Sequence, residues 1–164
     1  MGTGVPPALG QLTLKGRALR LLSAREHSRV ELERRLAAFE QAPGELARAL
    51  DELQAKGFIN EQRVVESVIH RRAARVGAAR IRQELQGKGL DPEAVQQAVA
   101  GLQGSELARA REVWRKKFGR QLELAPPADA AERSRQMRFL AARGFSAEVV
   151  RRVVAGAGED EASD

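Results

Sequence analysis

Three times in 164 residues the chain repeats one six-residue signature: LQAKGF at Leu53–Phe58, LQGKGL at Leu85–Leu90 and LAARGF at Leu140–Phe145. Each copy runs from a leucine through two spacers to a cation, a glycine and an apolar residue. Physically this describes a helix end. The cation sits near the negative pole of the helix, the glycine turns the chain, and the apolar residue plugs the joint before the next helix begins. The second and third copies continue into matching starts, LDPEAVQQAV and FSAEVVRRVV, where a capping residue leads into a stripe of valines. Composition agrees with a chain of short helices. Tyr is absent, aromatics are 4%, and Ala, Leu, Glu, Arg and Gln dominate, so β-propensity is poor and helix propensity high. The fold expected is all-α.

Period and caps place nine helices. Leu14, Ala18, Leu21 and Leu22 form one stripe of a first helix over Thr13–Arg25. Ser28 and Glu31 make a capping box for a second, burying Leu32, Leu36 and Phe39, and Pro43 suits the first turn of a third carrying Leu46, Leu50 and Leu53. Asn60 caps a fourth helix with Val64, Val65, Val68 and Ile69 inward, and a short fifth holds Ile81 and Leu85. Asp91–Pro92 opens a sixth with Val95, Val99 and Leu102. Ser105 opens a seventh with Leu107, Ala110 or Arg111, Trp114 and Phe118 on one stripe, closed by Gly119. After a Pro-containing loop over Gln121–Ala128, Asp129 with Glu132 and then Ser146 start the last two.

The repeat groups these helices into three tandem three-helix modules, 13–58, 59–103 and 104–155, between a flexible N-terminus, 1–12, and an acidic disordered tail, 156–164. Modules of this size have marginal cores and brace one another, which predicts an elongated, curved molecule.

Charge narrows the function. Of 28 cations and 22 anions, Ser105–Arg152 holds twelve cations against six anions, and Arg outnumbers Lys by 23 to 5. Two clusters stand out: Arg71, Arg72, Arg75, Arg80, Arg82 and Lys88, facing the single acid Glu84, and Arg115, Lys116, Lys117 and Arg120. Guanidinium forks bind phosphate and carboxylate at two points, so these clusters are the candidate contacts to a polyanion or an acidic partner. Any one arginine has an equal claim to be solvated surface.

Catalytic patterns are missing from the sequence. With no Cys there is no disulfide framework, thiolate metal site or thiol nucleophile. His27 and His70 have no metal-ligand spacing, and His27 beside the Ser28 cap reads as structural. No phosphate-binding glycine loop or nucleophile elbow occurs. Trp114 and Phe118 keep helical register with Leu107 and Ala110, which marks core residues and not a base-stacking platform; Phe58, Phe139 and Phe145 follow the same logic. Every apolar run is broken by charge well before the ~18 residues of a membrane span, and Pro6, Pro7, Lys15 and Arg17 interrupt any secretory signal. The expectation is a non-enzymatic cytoplasmic binding protein without cofactor or metal.

ALRLLSAREHSRVELERRLAAF at Ala18–Phe39, KGFINEQRVVESVIHRR at Lys56–Arg72, GAARIRQELQGKGL at Gly77–Leu90, and the later WRKKFG and RFLAARGFSAEVV together resemble the RecX family of regulatory proteins. The resemblance spans about Leu14 to Val154. It departs from the family pattern at Val64, Val76 and Ala78, where an aromatic, an aromatic and a proline are common. It implies tandem three-helix modules lying in the deep groove of the RecA–DNA filament and modulating RecA, usually by inhibiting its ATP hydrolysis, strand exchange and coprotease functions in DNA repair and the SOS response, with direct DNA binding in some members. The expected partners are RecA, its filament and DNA, with a monomeric chain and no membrane. The alternative the residues allow is a stand-alone helix-turn-helix DNA-binding regulator, for which Gln96 and Gln97 are the nearest base-reading candidates.

Overall fold

The structure, a computed structural model, describes residues 11–122 and 129–159. These form nine α-helices: α1 Leu14–Ala24, α2 Arg29–Leu36, α3 Glu45–Ala55, α4 Glu61–Arg72, α5 Ala78–Gly87, α6 Pro92–Ala100, α7 Gln103–Leu122, α8 Ala130–Ala142 and α9 Ala147–Glu159. One 3-10 turn, Ala37–Phe39, follows α2, and no strand occurs among the described residues.

The starts follow from short polar side chains that hold orphan backbone N–H groups. Ser28 completes a full capping box: its hydroxyl accepts the Glu31 N–H at 3.2 Å, and Glu31 accepts the Ser28 N–H at 2.7 Å. Asn60, Asp91, Asp129 and Ser146 each accept the N–H three residues on. The hexad repeat resolves into one backbone device. Gly57, Gly89 and Gly144 all take left-handed φ, +81°, +67° and +87°. In the first and third copies a pair of hydrogen bonds closes the helix: Phe58 N–H to Leu53 C=O (2.9 Å) with Gly57 N–H to Gln54 C=O (3.0 Å), and Phe145 N–H to Leu140 C=O (3.4 Å) with Gly144 N–H to Ala141 C=O (3.0 Å). That is the Schellman arrangement.

Several boundaries differ from expectation. Gly119 does not close α7, which runs through it to Leu122; one glycine costs a helix only about 1 kcal/mol, and a 20-residue helix tolerates it. Helix α7 also begins two residues before Ser105. Pro43 lies in the turn before α3, whose N-cap is Gly44 at φ +83°. Helix α9 continues through Gly156 to Glu159, four residues placed in the acidic tail by sequence; 160–164, the loop segment 123–128 and N-terminal residues 1–10 lie outside the described residues.

The described residues fall into two compact units, one within Met1–Ser67 and Gly87–Leu90, the other within Val68–Gln86 and Asp91–Asp164. In the first, α1, α2 and α3 pack on one another around Ala18, Leu32, Leu36, Leu50 and Leu53. Its α1–α2 joint is held by polar groups. Ser28 Oγ donates to Lys88 C=O at 2.6 Å, and Lys88 Nζ meets Glu31 Oε1 at 2.7 Å. His27 is buried with its Nδ1 3.0 Å from Arg25 C=O, and burial lowers its pKa by disfavouring the charged ring, as fits a structural residue at this joint. In the second unit, α7, α8 and α9 pack mutually around Ala110, Leu140, Phe145, Val150 and Val153.

The apolar plug after the hexad glycine holds in two copies only: Leu90 and Phe145 are buried, whereas Phe58 is 47% exposed. Phe39, expected in the core, is 46% exposed; the 3-10 turn after α2 carries it off the buried stripe, where the Arg17 guanidinium lies 3.9 Å over its ring.

Candidate functional site

In the second unit, three stretches converge on a surface depression of about 280 Å³. The turn after α4 supplies Ala74 and Arg75, α7 supplies Val113, Lys116 and Lys117, and the end of α8 supplies Phe139 and Arg143. Four cations ring an apolar floor, and no carboxylate lines it. Helix α7 presents Lys116 and Lys117 because its opposite stripe is committed to the core. Ala110 and Phe118 are buried, Trp114 donates to the buried Gln136 amide oxygen at 3.0 Å, and Phe118 meets Phe139 edge-on at 5.3 Å. The Phe139 ring in turn carries Arg143 at 4.8 Å and Lys117 at 5.7 Å, distances of cation–π contact.

What brings Arg75 to α7 is a set of partly buried polar contacts. The Arg109 guanidinium donates to the carbonyls of Ala73 (2.8 Å) and Val76 (3.0 Å) beyond α4 and of Leu102 (3.3 Å) beyond α6. Burial lowers its pKa and the neighbouring Glu106 opposes that; an arginine remains a cation throughout. The buried Glu106 carboxylate accepts the Ala78 N–H at 3.1 Å at the start of α5. Backbone meets backbone alongside: Gly77 N–H donates to Arg143 C=O at 2.8 Å and Ala79 N–H to Gly144 C=O at 3.3 Å. A Cβ on Gly77 would run into the Gly144 carbonyl, so only glycine fits this seat.

The sequence-named cations divide by environment. Arg75, Lys116 and Lys117 come together at the depression. Arg71 and Arg72 both reach Glu84, at 3.0 and 3.2 Å. Arg80 donates twice to Ala142 C=O, at 3.2 and 3.0 Å, and serves the α8–α9 joint. Lys88 belongs to the first unit, where its side chain is 13% exposed and ion-paired to Glu31. Arg115 pairs with Glu112 one turn back at 2.9 Å. Arg82 and Arg120 are exposed.

Sequence reasoning missed Arg143, Arg109 and Glu106. Arg143 is the hexad's cation, read there as a complement to a helix pole. Glu106 and Arg109 share the stripe of Ala110 and Val113 at positions i, i+3, i+4 and i+7, and charges on an apolar stripe are the signal that was available. Among the described residues no grouping of His, Asp and Glu is arranged to hold a metal, and no helix is long and apolar enough to cross a membrane.

Comparison with known proteins adds a second line of observation. Residues 60–99 match the model of the second three-helix domain of RecX, and residues 105–154 that of the third. A regulatory protein RecX of Leptothrix cholodnii is 56% identical over 144 residues, covering 88% of each chain. The chain belongs to the RecX family. A regulatory protein RecX of Ralstonia nicotianae is 49% identical over 146 residues, 89% of each chain. Among solved structures, RecX from Lactobacillus salivarius superposes with a TM-score of 0.68 at 19% identity over 87% of this chain and 93% of its own, a likeness of fold. The RecX-matched segments, 60–99 and 105–154, contain Arg75, Lys116, Lys117 and Arg143, so the whole cationic rim lies on family-matched residues.

Proposed function

We propose that the chain is a non-enzymatic, monomeric regulator of the RecA recombinase in the cytoplasm, binding the RecA–DNA filament in its helical groove and inhibiting ATP hydrolysis, strand exchange and coprotease action in DNA repair and the SOS response. RecX membership supports the target, and one observation carries the mode: a rim of four cations, without a carboxylate, around an apolar floor. Arg75, Lys116, Lys117 and Arg143 contact the filament's phosphates or acidic residues, with Arg71, Arg72, Arg82, Arg115 and Arg120 widening the cationic skin. The three tandem modules, 13–58, 59–103 and 104–155, engage neighbouring RecA subunits together. Binding one filament state more tightly than another shifts the population of states by the difference in affinity, with no chemistry on the regulator's part.

The test is RecA's ATP hydrolysis on single-stranded DNA with the chain titrated in. Inhibition that saturates near one chain per several RecA subunits is expected. Unchanged hydrolysis at stoichiometric chain would overturn the proposal. A salt series separates the ligands: about four phosphate contacts give a log–log slope near −3 to −4 on bare DNA. Tighter binding to filament than to bare DNA at every salt is expected.

A further inference from the structure

A groove on the first unit carries chemistry that RecA–DNA binding through the second unit leaves unused. It has a volume of about 330 Å³. Leu12, Leu21, Leu36 and Phe39 supply an apolar floor, and Arg17, Arg20 and Arg35 its rim. Among the described residues only three large apolar side chains are well exposed, and two of them, Leu12 at 42% and Phe39 at 46%, meet here. No acid lines the groove, and none of the three arginines is ion-paired among the described residues. An apolar patch with a polar rim is the form of a binding surface, and here the rim has one sign. The Arg17 guanidinium covers one face of Phe39 at 3.9 Å, which removes that face from stacking on a base, and a phosphodiester would leave the leucines unburied.

We infer that this groove docks a short acidic segment of a partner protein. One leucine or phenylalanine side chain seats among Leu21, Leu36 and Phe39, and flanking carboxylates engage Arg17, Arg20 and Arg35 as two-point ion pairs. The apolar anchor supplies burial, and the guanidinium rim selects against basic or neutral segments.

The experiment titrates the isotope-labelled full chain with a 12-residue peptide of paired acids and leucines, read by amide shifts and by fluorescence anisotropy. A control peptide carries serine for leucine, and a 15-nucleotide oligothymidine is run in parallel. The shifts are expected to cluster over residues 12–39. Affinity is expected to fall about tenfold or more for Arg17→Gln/Arg20→Gln and for the serine peptide. Phe39→Ser, an exposed position, falls similarly with unchanged circular dichroism, whereas Arg75→Glu/Lys117→Glu binds the peptide as the parent does. Shifts confined to the second unit, equal binding of the serine peptide, or oligothymidine moving the same amides over 12–39 would each overturn the inference. RecA is absent from this assay, so its failure is distinct from failure of the RecA proposal.

Discussion

Glycine-to-alanine substitution at three joint positions separates two costs that the hexad combines. At Gly57 the backbone is left-handed, φ +81°, but a Cβ would meet nothing within 4 Å. At Gly77 the backbone needs no positive φ, but a Cβ would strike the Gly144 carbonyl. At Gly144 both hold: φ is +87°, and a Cβ would lie 2.6 Å from Arg80 Cγ and 2.7 Å from Arg80 N. The left-handed conformation costs a non-glycine residue about 1–2 kcal/mol, and overpacking against backbone that cannot swing away costs about 1–3 kcal/mol more. Gly57→Ala should therefore lose about 1–2 kcal/mol, Gly77→Ala about 1–3 kcal/mol, and Gly144→Ala the sum, about 2–5 kcal/mol. Urea unfolding followed by Trp114 fluorescence reports the second unit, and far-UV circular dichroism reports the whole helix content. Equal losses at Gly57 and Gly144 would refute the claim that close approach to Arg80 fixes the third joint.

Other consequences are smaller in scope. Burial pushes the Glu31 carboxyl up, but hydrogen bonds from Lys88, the Ser28 N–H and Arg25 outweigh it and bring its pKa to about 2. The folded state therefore gains from Glu31 above its ordinary pKa of 4.5 and loses that gain, about 3 kcal/mol at most, as pH falls from there toward 2. The stability gap between parent and Glu31→Gln should close over that window, and a gap independent of pH would contradict it. Lys88→Met should cost about 1–3 kcal/mol in urea unfolding while leaving binding to oligothymidine unchanged, because the ammonium is spent on Glu31. Glu106→Ala strands the Ala78 N–H and should lower the unfolding free energy read from Trp114 fluorescence by about 1–3 kcal/mol, with Glu106→Gln losing less; equal loss would remove the acceptor role.

Features written in local chemistry were legible in the sequence. Ser28 with Glu31, Asn60, Asp91 before Pro92, Asp129 and Ser146 cap the helices they were expected to cap, because each uses its own short side chain on a neighbour three residues away. The hexad glycines turn left-handed for the same local reason. What depends on a distant neighbour was not legible. Phe58 and Phe145 share a motif, yet only Phe145 enters a core, that of α7, α8 and α9. Lys88 reads as one more surface cation until the fold sets Glu31 2.7 Å from it. Arg75, Lys116 and Lys117 were singled out by charge density, but their meeting with Arg143 rests on Arg109 and Glu106; the apolar stripe of α7 marks these two charges as unusual, but their partners, the backbone groups of Ala73, Val76 and Ala78, are set by the fold.

The most direct measurement of the central claim is binding to RecA filament on single-stranded DNA by the parent chain and by Arg75→Glu/Lys117→Glu, compared with a charge-matched reversal in the other unit, Arg34→Glu/Arg48→Glu. If the second unit's cationic rim grips the filament, the rim variant loses affinity by about tenfold or more with its helicity intact, and the matched variant stays near the parent. Equal weakening by both variants, or parental affinity in the rim variant, would contradict the account.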